Sequence, residues 1–179
     1  MKNGIKHILV ALLSIVMAVP QIAFAQTASQ APLVNQSSIQ FIPEGGSTTF
    51  GFVIGGSTPR KLLIRVVGPG LAQLGVENTM PNPRCDLFRL VARGSAQVFG
   101  NDDWQLQNPA PTGNIVLARA TAAELPGIMA SVGAFAPLSP NDSAIAVTLA
   151  AGNYTVRASS GNSSAGTSGN VIIEVYLVE

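Results

Sequence analysis

The chain has 179 residues, with 10 Lys and Arg against 9 Asp and Glu, one histidine and one cysteine. A formal net charge of +1 provides no basic field that would attract nucleic acid, and a single cysteine excludes an intrachain disulfide. The one histidine, His7, lies in a segment that we expect to be removed. Ser-His-Asp and Cys-His catalysis and the common zinc sites are therefore excluded as well.

Residues 1–25 have the pattern of a signal peptide that directs export. Two lysines precede an apolar run at 8–19, and Ala23-Phe24-Ala25 fits a small-x-small cleavage site. The apolar run is too short for a membrane-spanning helix, which needs roughly 20 residues. We therefore expect a secreted or periplasmic protein that starts at Gln26 and has no transmembrane segment after cleavage.

A leader and a single domain follow the predicted signal peptide. Residues 26–44 are largely polar and weakly patterned, which predicts a flexible leader. Residues 45–179 contain no internal repeat and no shift of composition, so we interpret them as one domain. A chain of this length can bury a sizeable hydrophobic core.

Two apolar alternations open the domain and predict its first strands. One covers residues 48–54 and the other covers 61–67. In the second strand, Lys61 and Arg65 are expected to point to solvent. Gly68-Pro69-Gly70 then ends this strand.

The middle of the chain predicts two more strands and one helix. Residues 85–91 and 96–99 have strand patterns, and we expect Cys85 to be a buried thiol on an inward face. The alanine-rich segment 115–125 predicts the one short helix, which Pro126-Gly127 would end.

The last third of the chain carries the clearest β pattern. Apolar side chains alternate along 143–149, 154–158 and 171–178, with turn residues between them. These patterns predict an all-β fold, an antiparallel two-sheet β-sandwich of the jelly-roll type with one short helix. The predicted core consists of Leu62, Ile64, Val66, Leu87, Val147, Leu149, Tyr154, Val156, Ile173 and Val175.

The turn Asn101-Asp102-Asp103 is the candidate metal site. A carboxylate-rich turn between strands offers the oxygen ligands that calcium prefers, so calcium is the one candidate cofactor. The alternative is that these residues only form an Asx-type turn, because three residues are too few to fill a calcium coordination shell.

Trp104, directly after that turn, is the candidate ligand-contacting residue. A tryptophan on the surface of a sandwich can stack on the face of a sugar ring. The alternative is that Trp104 fills one end of the hydrophobic core.

Several segments have counterparts in a known family: residues 63–71, 83–88, 101–104, 132–135 with 138–140, 149–156 and 171–176. They resemble a secreted bacterial β-sandwich module, the pre-peptidase C-terminal domain. The family likewise pairs a strand that ends in an Asn/Asp-rich turn with an L-x-x-G-x-Y-x-V strand. The resemblance implies a sandwich fold and an accessory, non-catalytic role. Some modules of this family bind calcium or insoluble polymers.

Three classes of function stay open at this point, and an enzyme is the least favoured. The first is a secreted, non-catalytic surface or matrix module that binds an extracellular protein or polysaccharide. The second is a structural subunit that assembles through edge strands, with residues 26–40 as an added strand. The third is a small hydrolase, for which no assembled acid-base pair is recognisable.

Overall fold

The structure is a computed structural model, which describes residues 35–108, 115–136, 139–161 and 167–178. The predicted signal peptide and residues 26–34 of the predicted leader lie outside these ranges. In the part of the chain that the structure describes, no helix is long and apolar enough to cross a membrane.

Nine strands and two short helices form within the described ranges. The strands are β1 (Asn35–Ile42), β2 (Ser47–Ile54), β3 (Arg60–Val67), β4 (Pro83–Val91), β5 (Gly94–Asn101), β6 (Val116–Arg119), β7 (Ser143–Leu149), β8 (Gly152–Ser160) and β9 (Gly169–Val178). The helices are α1 (Pro69–Ala72), a single turn, and α2 (Leu125–Ser131).

The strands form two antiparallel sheets. Sheet A has the order β1-β9-β3-β7-β6, and sheet B has the order β2-β8-β4-β5. Apart from the four-residue strand β6, and with β4 and β5 as a hairpin within sheet B, successive strands alternate between the two sheets in the manner of a jelly roll. The predicted all-β sandwich fold is therefore confirmed.

The main core lies between the two sheets. All ten side chains predicted for the core are buried there, none more than 7% exposed. Burying one such apolar side chain contributes about 1.5–3 kcal/mol, so the alternation of the sequence selects this packing. Cys85 is also completely buried, as predicted, and this burial raises the pKa of its thiol to about 12.

Part of the outer face of sheet A is buried as well, which contradicts one expectation from the sequence. Helix α2 and the residues after it cover this face, packing over Leu63 and Tyr176 in a second apolar cluster. Arg65, expected to point to solvent, is only 1% exposed and forms an ion pair with Glu174 beneath this cover. The alternation in β3 marks the face that meets sheet B, but it does not show that the other face is also covered.

The predicted helix over 115–125 is wrong in position. Residues Val116–Arg119 form β6, which pairs with β7 at the edge of sheet A. Helix α2 begins at Leu125, so Pro126 lies in its first turn instead of ending a helix. Proline is tolerated there because the first N–H groups of a helix have no partner within it.

The predicted flexible leader is also corrected in part. Asn35–Ile42 forms strand β1, which pairs with β9 along its whole length. A tight turn then connects β1 to β2. In this turn, Gly46 N donates to Pro43 O at 2.9 Å and Gly45 has a φ of +67°. This strand has a weak sequence pattern because it lies at a sheet edge, where only Ile42 is buried.

Candidate binding face

The outer face of sheet B carries a compact polar and aromatic cluster. We call it the platform and define it as Arg84, Asp86, Phe88, Gln97 and Arg157. Strand β4 supplies the first three of these residues, and its pairing with β5 and β8 adds Gln97 and Arg157.

The register of sheet B places the platform in two neighbouring rows. One row runs across all four strands through Gly51, Thr155, Phe88 and Gln97. The next row contains Thr49, Arg157, Asp86 and Gly100. The glycine and threonine residues in these rows have short side chains, so they leave the Phe88 ring and the arginines accessible from this face.

Asp86 organises the platform through three side-chain partners. Its Oδ1 accepts hydrogen bonds from Arg84 Nε and Gln97 Nε2, each at 2.9 Å, and its Oδ2 accepts from Arg157 Nη2 at 2.8 Å. The carboxylate is covered by these partners, and the residue is only 1% exposed. Charge-assisted bonds of this kind hold the donor groups in fixed positions.

Gly100 makes room for this arrangement. A Cβ atom at position 100 would lie 2.5 Å from Asp86 Oδ1 and 2.8 Å from Arg84 Nη2. Because Gly100 pairs directly with Asp86, the carboxylate can lie over the backbone of β5. Any larger residue at this position would displace the carboxylate and its donors.

Arg157 also lies over an aromatic ring. Its Cζ is 4.9 Å from the centroid of the Phe88 ring, within the range of a cation-π contact. The Arg157 side chain is 43% exposed, so part of the guanidinium faces solvent. The platform thus presents a half-buried aromatic ring with an oriented guanidinium above it.

The platform is suited to binding and not to proton transfer. The Asp86 carboxylate is covered, and both of its oxygens accept hydrogen bonds from cationic or amide donors. A general acid or base must reach the reacting group directly or through one water molecule. We therefore assign Asp86 a positioning role.

The three candidate calcium ligands have different surroundings. Asn101 is completely buried, and its Nδ2 donates to the carbonyl oxygens of Asp103 and Ala144 at 2.9 and 3.3 Å. Asp102 Oδ2 lies 3.9 Å from Arg84 Nη1, at the margin of the platform. Desolvation, followed by the neighbouring charge of Asp102, raises the pKa of Asp103.

This turn provides only part of a calcium shell. Oδ1 of Asn101 and Oδ1 of Asp103 are buried and accept no hydrogen bond from the described residues. Within the same ranges, no group of three or more His, Cys, Asp or Glu residues is arranged to hold a metal ion. Calcium binding by Asn101, Asp102 and Asp103 therefore stays a prediction, and backbone carbonyls would have to supply further ligands.

The calcium hypothesis predicts a ligand-dependent thermal shift. Calcium that binds only the folded state should raise the melting midpoint by several degrees at a hundred times its Kd. Differential scanning calorimetry with millimolar calcium and then with chelator measures this shift and its reversal. Replacing Asp102 and Asp103 with alanine should abolish the shift. If calcium does not change the midpoint of the unsubstituted protein, the three residues only form an Asx-type turn.

Trp104 lies at the margin of the second apolar cluster and not on the platform. It is half-buried and packs against the cluster that covers sheet A. Its indole Nε1 donates to Ser139 O at 3.0 Å, and its backbone N donates to Asp142 O at 2.9 Å. These contacts are those of a packing residue, and stacking of Trp104 on a sugar ring stays a prediction.

A shallow cavity lies on the outer side of sheet A. It has a volume of about 230 Å³, and its charged lining residues are Lys61, Arg119 and Glu124. Thr121 donates to Glu124 from its backbone N and its hydroxyl, and these bonds lower the pKa of Glu124. A cavity with one carboxylate does not provide the carboxylate pair that glycoside hydrolysis requires.

Sequence analysis did not identify Asp86 and Arg157 as site residues. A signal was present in the predicted strand over 85–91, where a carboxylate and an aromatic ring, at 86 and 88, alternate with the inward Cys85 and Leu87. Arg157 lies 71 positions from Asp86 in sequence, so only the pairing of β4 with β8 brings them together.

Comparisons with known proteins identify no family for this chain. No protein-family model matches it, and no curated protein matches it. Among solved structures, it is similar to the crystal structure of the Yersinia pseudotuberculosis-derived mitogen, with a TM-score of 0.42 and 8% sequence identity. The match covers 81% of this chain and 86% of the mitogen, and it carries no functional argument.

Proposed function

We propose that the protein is an exported, non-catalytic module that binds a polysaccharide through the outer face of sheet B. The platform carries this proposal, because it combines an aromatic ring with fixed hydrogen-bonding groups on an open sheet surface. The expected signal peptide supports action outside the cytoplasm, and the resemblance to accessory polymer-binding modules points to the same class.

A sugar polymer matches the chemistry of this face better than a protein partner does. The C–H groups of a sugar ring pack on an aromatic face, and its hydroxyls pair with amide and guanidinium groups. The core of a protein interface is enriched in Arg and Met and depleted in Asp, Glu and Lys, and it usually contains several large aromatic side chains. The platform places two arginines and one aspartate around a single half-buried Phe88.

Binding to polysaccharides tests the proposal directly. We expect the exported protein to be retained by at least one polymer from a panel of insoluble cellulose, insoluble chitin, soluble neutral glucan and soluble polyuronate. Depletion assays and titration calorimetry measure retention and Kd. The comparison of neutral polymers with polyuronate shows whether the arginines recognise hydroxyls or carboxylates.

Two substitutions should show whether the polymer binds to the platform and not to another part of the surface. Phe88→Ala removes the ring, and Arg157→Ala removes the guanidinium above it, so each should weaken binding about five-fold or more. Leu117→Ala is the control, because Leu117 is 52% exposed on β6 of the other sheet. Wild-type binding by both platform variants, or no retention by any polymer, would contradict the proposal.

A further inference from the structure

The cavity on the outer side of sheet A combines long charged side chains with short neighbouring ones. Lys61, Thr148 and Ala118 form one row across β3, β7 and β6, and Ala146 lines the cavity two positions before Thr148 on β7. Because alanine and threonine are short, the charged side chains that also line the cavity leave space between them. The register of sheet A thus assembles this cavity from residues far apart in sequence.

Glu124 is held in a fixed position at this cavity. Its Oε2 accepts hydrogen bonds from Thr121 N at 2.7 Å and from Thr121 Oγ1 at 2.8 Å. Both of these bonds fall on one oxygen, so Oε1 can accept from a ligand. These bonds, and to a smaller extent the charge of Lys61, lower the pKa of Glu124, so its carboxylate is ionised at neutral pH.

Two cations share the cavity with this carboxylate without neutralising it. Lys61 and Arg119 line the cavity together with Glu124, but in the part of the chain that the structure describes neither forms an ion pair with it. Arg119 Nη1 donates to Asn108 O, which orients a guanidinium that has further N–H donors. The cavity therefore holds two positive charges and one negative charge that are not paired with one another.

We propose that this cavity binds a free acidic α-amino acid, with its two carboxylates at Lys61 and Arg119 and its ammonium group at Glu124. Such a ligand carries two negative charges and one positive charge, which complement the three side chains. Arginine suits a carboxylate because its planar guanidinium matches the two oxygens, and lysine supplies a compact charge. The volume of about 230 Å³ is below the ~300–1,000 Å³ of pockets for larger ligands, as expected for an amino acid.

The carboxylate of Glu124 favours an amino acid over a simple dicarboxylate. A ligand with negative charges alone would leave Glu124 without a partner and next to a like charge, which costs affinity. The inferred site is on sheet A and does not depend on the polysaccharide function of the platform on sheet B. The Phe88→Ala variant of the platform should therefore bind the amino acid as the unsubstituted protein does.

Three matched probes test the charge pattern of the ligand. We expect L-glutamate to bind with a Kd of about 1 mM or below, because hydrogen bonds between charged groups are stronger than neutral ones. Glutarate lacks the ammonium group and 4-aminobutyrate lacks one carboxylate, so the Kd of each should be about five-fold higher or more. Titration calorimetry and NMR titration of the full chain measure these constants.

Glu124→Gln separates the charge of this side chain from its structural bonds. The glutamine oxygen can still accept from Thr121, so the variant should raise the Kd for L-glutamate about five-fold or more without weakening glutarate binding. Lys61→Gln should weaken the binding of both probes. The matched control is Arg60→Gln, because Arg60 is the exposed neighbour of Lys61 on β3 and is not among the residues that line the cavity.

Three results would overturn the proposal. L-glutamate could fail to bind at concentrations up to about 10 mM, whether or not a polysaccharide is retained by the platform. Glutarate could bind as tightly as L-glutamate, which would leave a general anion site. Arg60→Gln could raise the Kd as much as Lys61→Gln does, with circular dichroism showing both variants to be folded.

Discussion

Replacing Arg65 with methionine should lower the free energy of unfolding by about 3–5 kcal/mol, because it leaves the charge of Glu174 buried without its counter-ion. Arg65 is 1% exposed and Glu174 is 5% exposed. Arg65 Nε donates to Glu174 Oε2 at 2.9 Å, and its Nη2 donates to the same oxygen. Urea unfolding monitored by circular dichroism measures the loss.

The surroundings of the pair explain why a single substitution is costly. The Arg65 guanidinium lies over the Phe135 ring, 4.2 Å from its centroid, and donates to the Phe135 carbonyl oxygen. The Tyr176 hydroxyl donates to Glu174 Oε1 at 2.7 Å. Burial, and then this bond to Glu174, raise the pKa of Tyr176 to about 12. All polar groups of the cluster thus depend on one another.

The double substitution Arg65→Met with Glu174→Gln is the control. It removes both charges and keeps an amide oxygen for the Tyr176 hydroxyl, so it should be less destabilising than Arg65→Met alone. A double variant as unstable as the single one would show that packing, and not charge, dominates.

Replacing Asp142 with alanine should lower the free energy of unfolding by roughly 3–5 kcal/mol, because its carboxylate accepts three backbone hydrogen bonds. Oδ1 accepts from Gly68 N at 3.0 Å and from Gly70 N at 3.2 Å, and Oδ2 accepts from Ser139 N at 3.2 Å. Asp142 thereby ties the turn after β3 to the segment that precedes β7. Urea unfolding and calorimetry measure the loss.

Two further variants separate the hydrogen bonds from the charge. In Asp142→Asn the amide oxygen can serve Gly68 and Gly70, but the NH₂ group would face the N–H of Ser139, so the loss should be intermediate. Gly70→Ala should also destabilise, since a Cβ atom there would lie 2.5 Å from Asp142 Oδ2. A loss for Asp142→Ala below about 1 kcal/mol would contradict this role.

The pKa of Asp142 adds a pH signature to the same variant. Burial raises this pKa despite the three backbone N–H donors, so the folded protein holds the proton more tightly than the unfolded chain. The contribution of Asp142 to stability should therefore decline as the pH rises from its ordinary pKa through its folded-state pKa. This part of the pH dependence should be missing from Asp142→Asn.

The sequence alone determined the fold class and the main core. In segments such as 61–67 and 171–178, apolar residues alternate because one face of each strand must leave water. That pattern is local, so it can be read without knowledge of the strand partners. The turn residues Gly68-Pro69-Gly70 likewise mark a strand end, and the structure adds that Gly70 leaves space for the Asp142 carboxylate.

Only the tertiary structure decided what lies on the second face of each sheet. Arg65 and Asp86 both occupy outward positions in amphipathic strands, but helix α2 and its following residues cover Arg65, while an arginine from β8 and a glutamine from β5 enclose Asp86. The free energy of burying a charge depends on partners far away in sequence, 109 positions for Arg65 and Glu174. Strand β6 likewise replaced a predicted helix, because pairing with β7 outweighs the marginal stability of a short helix, even one rich in alanine.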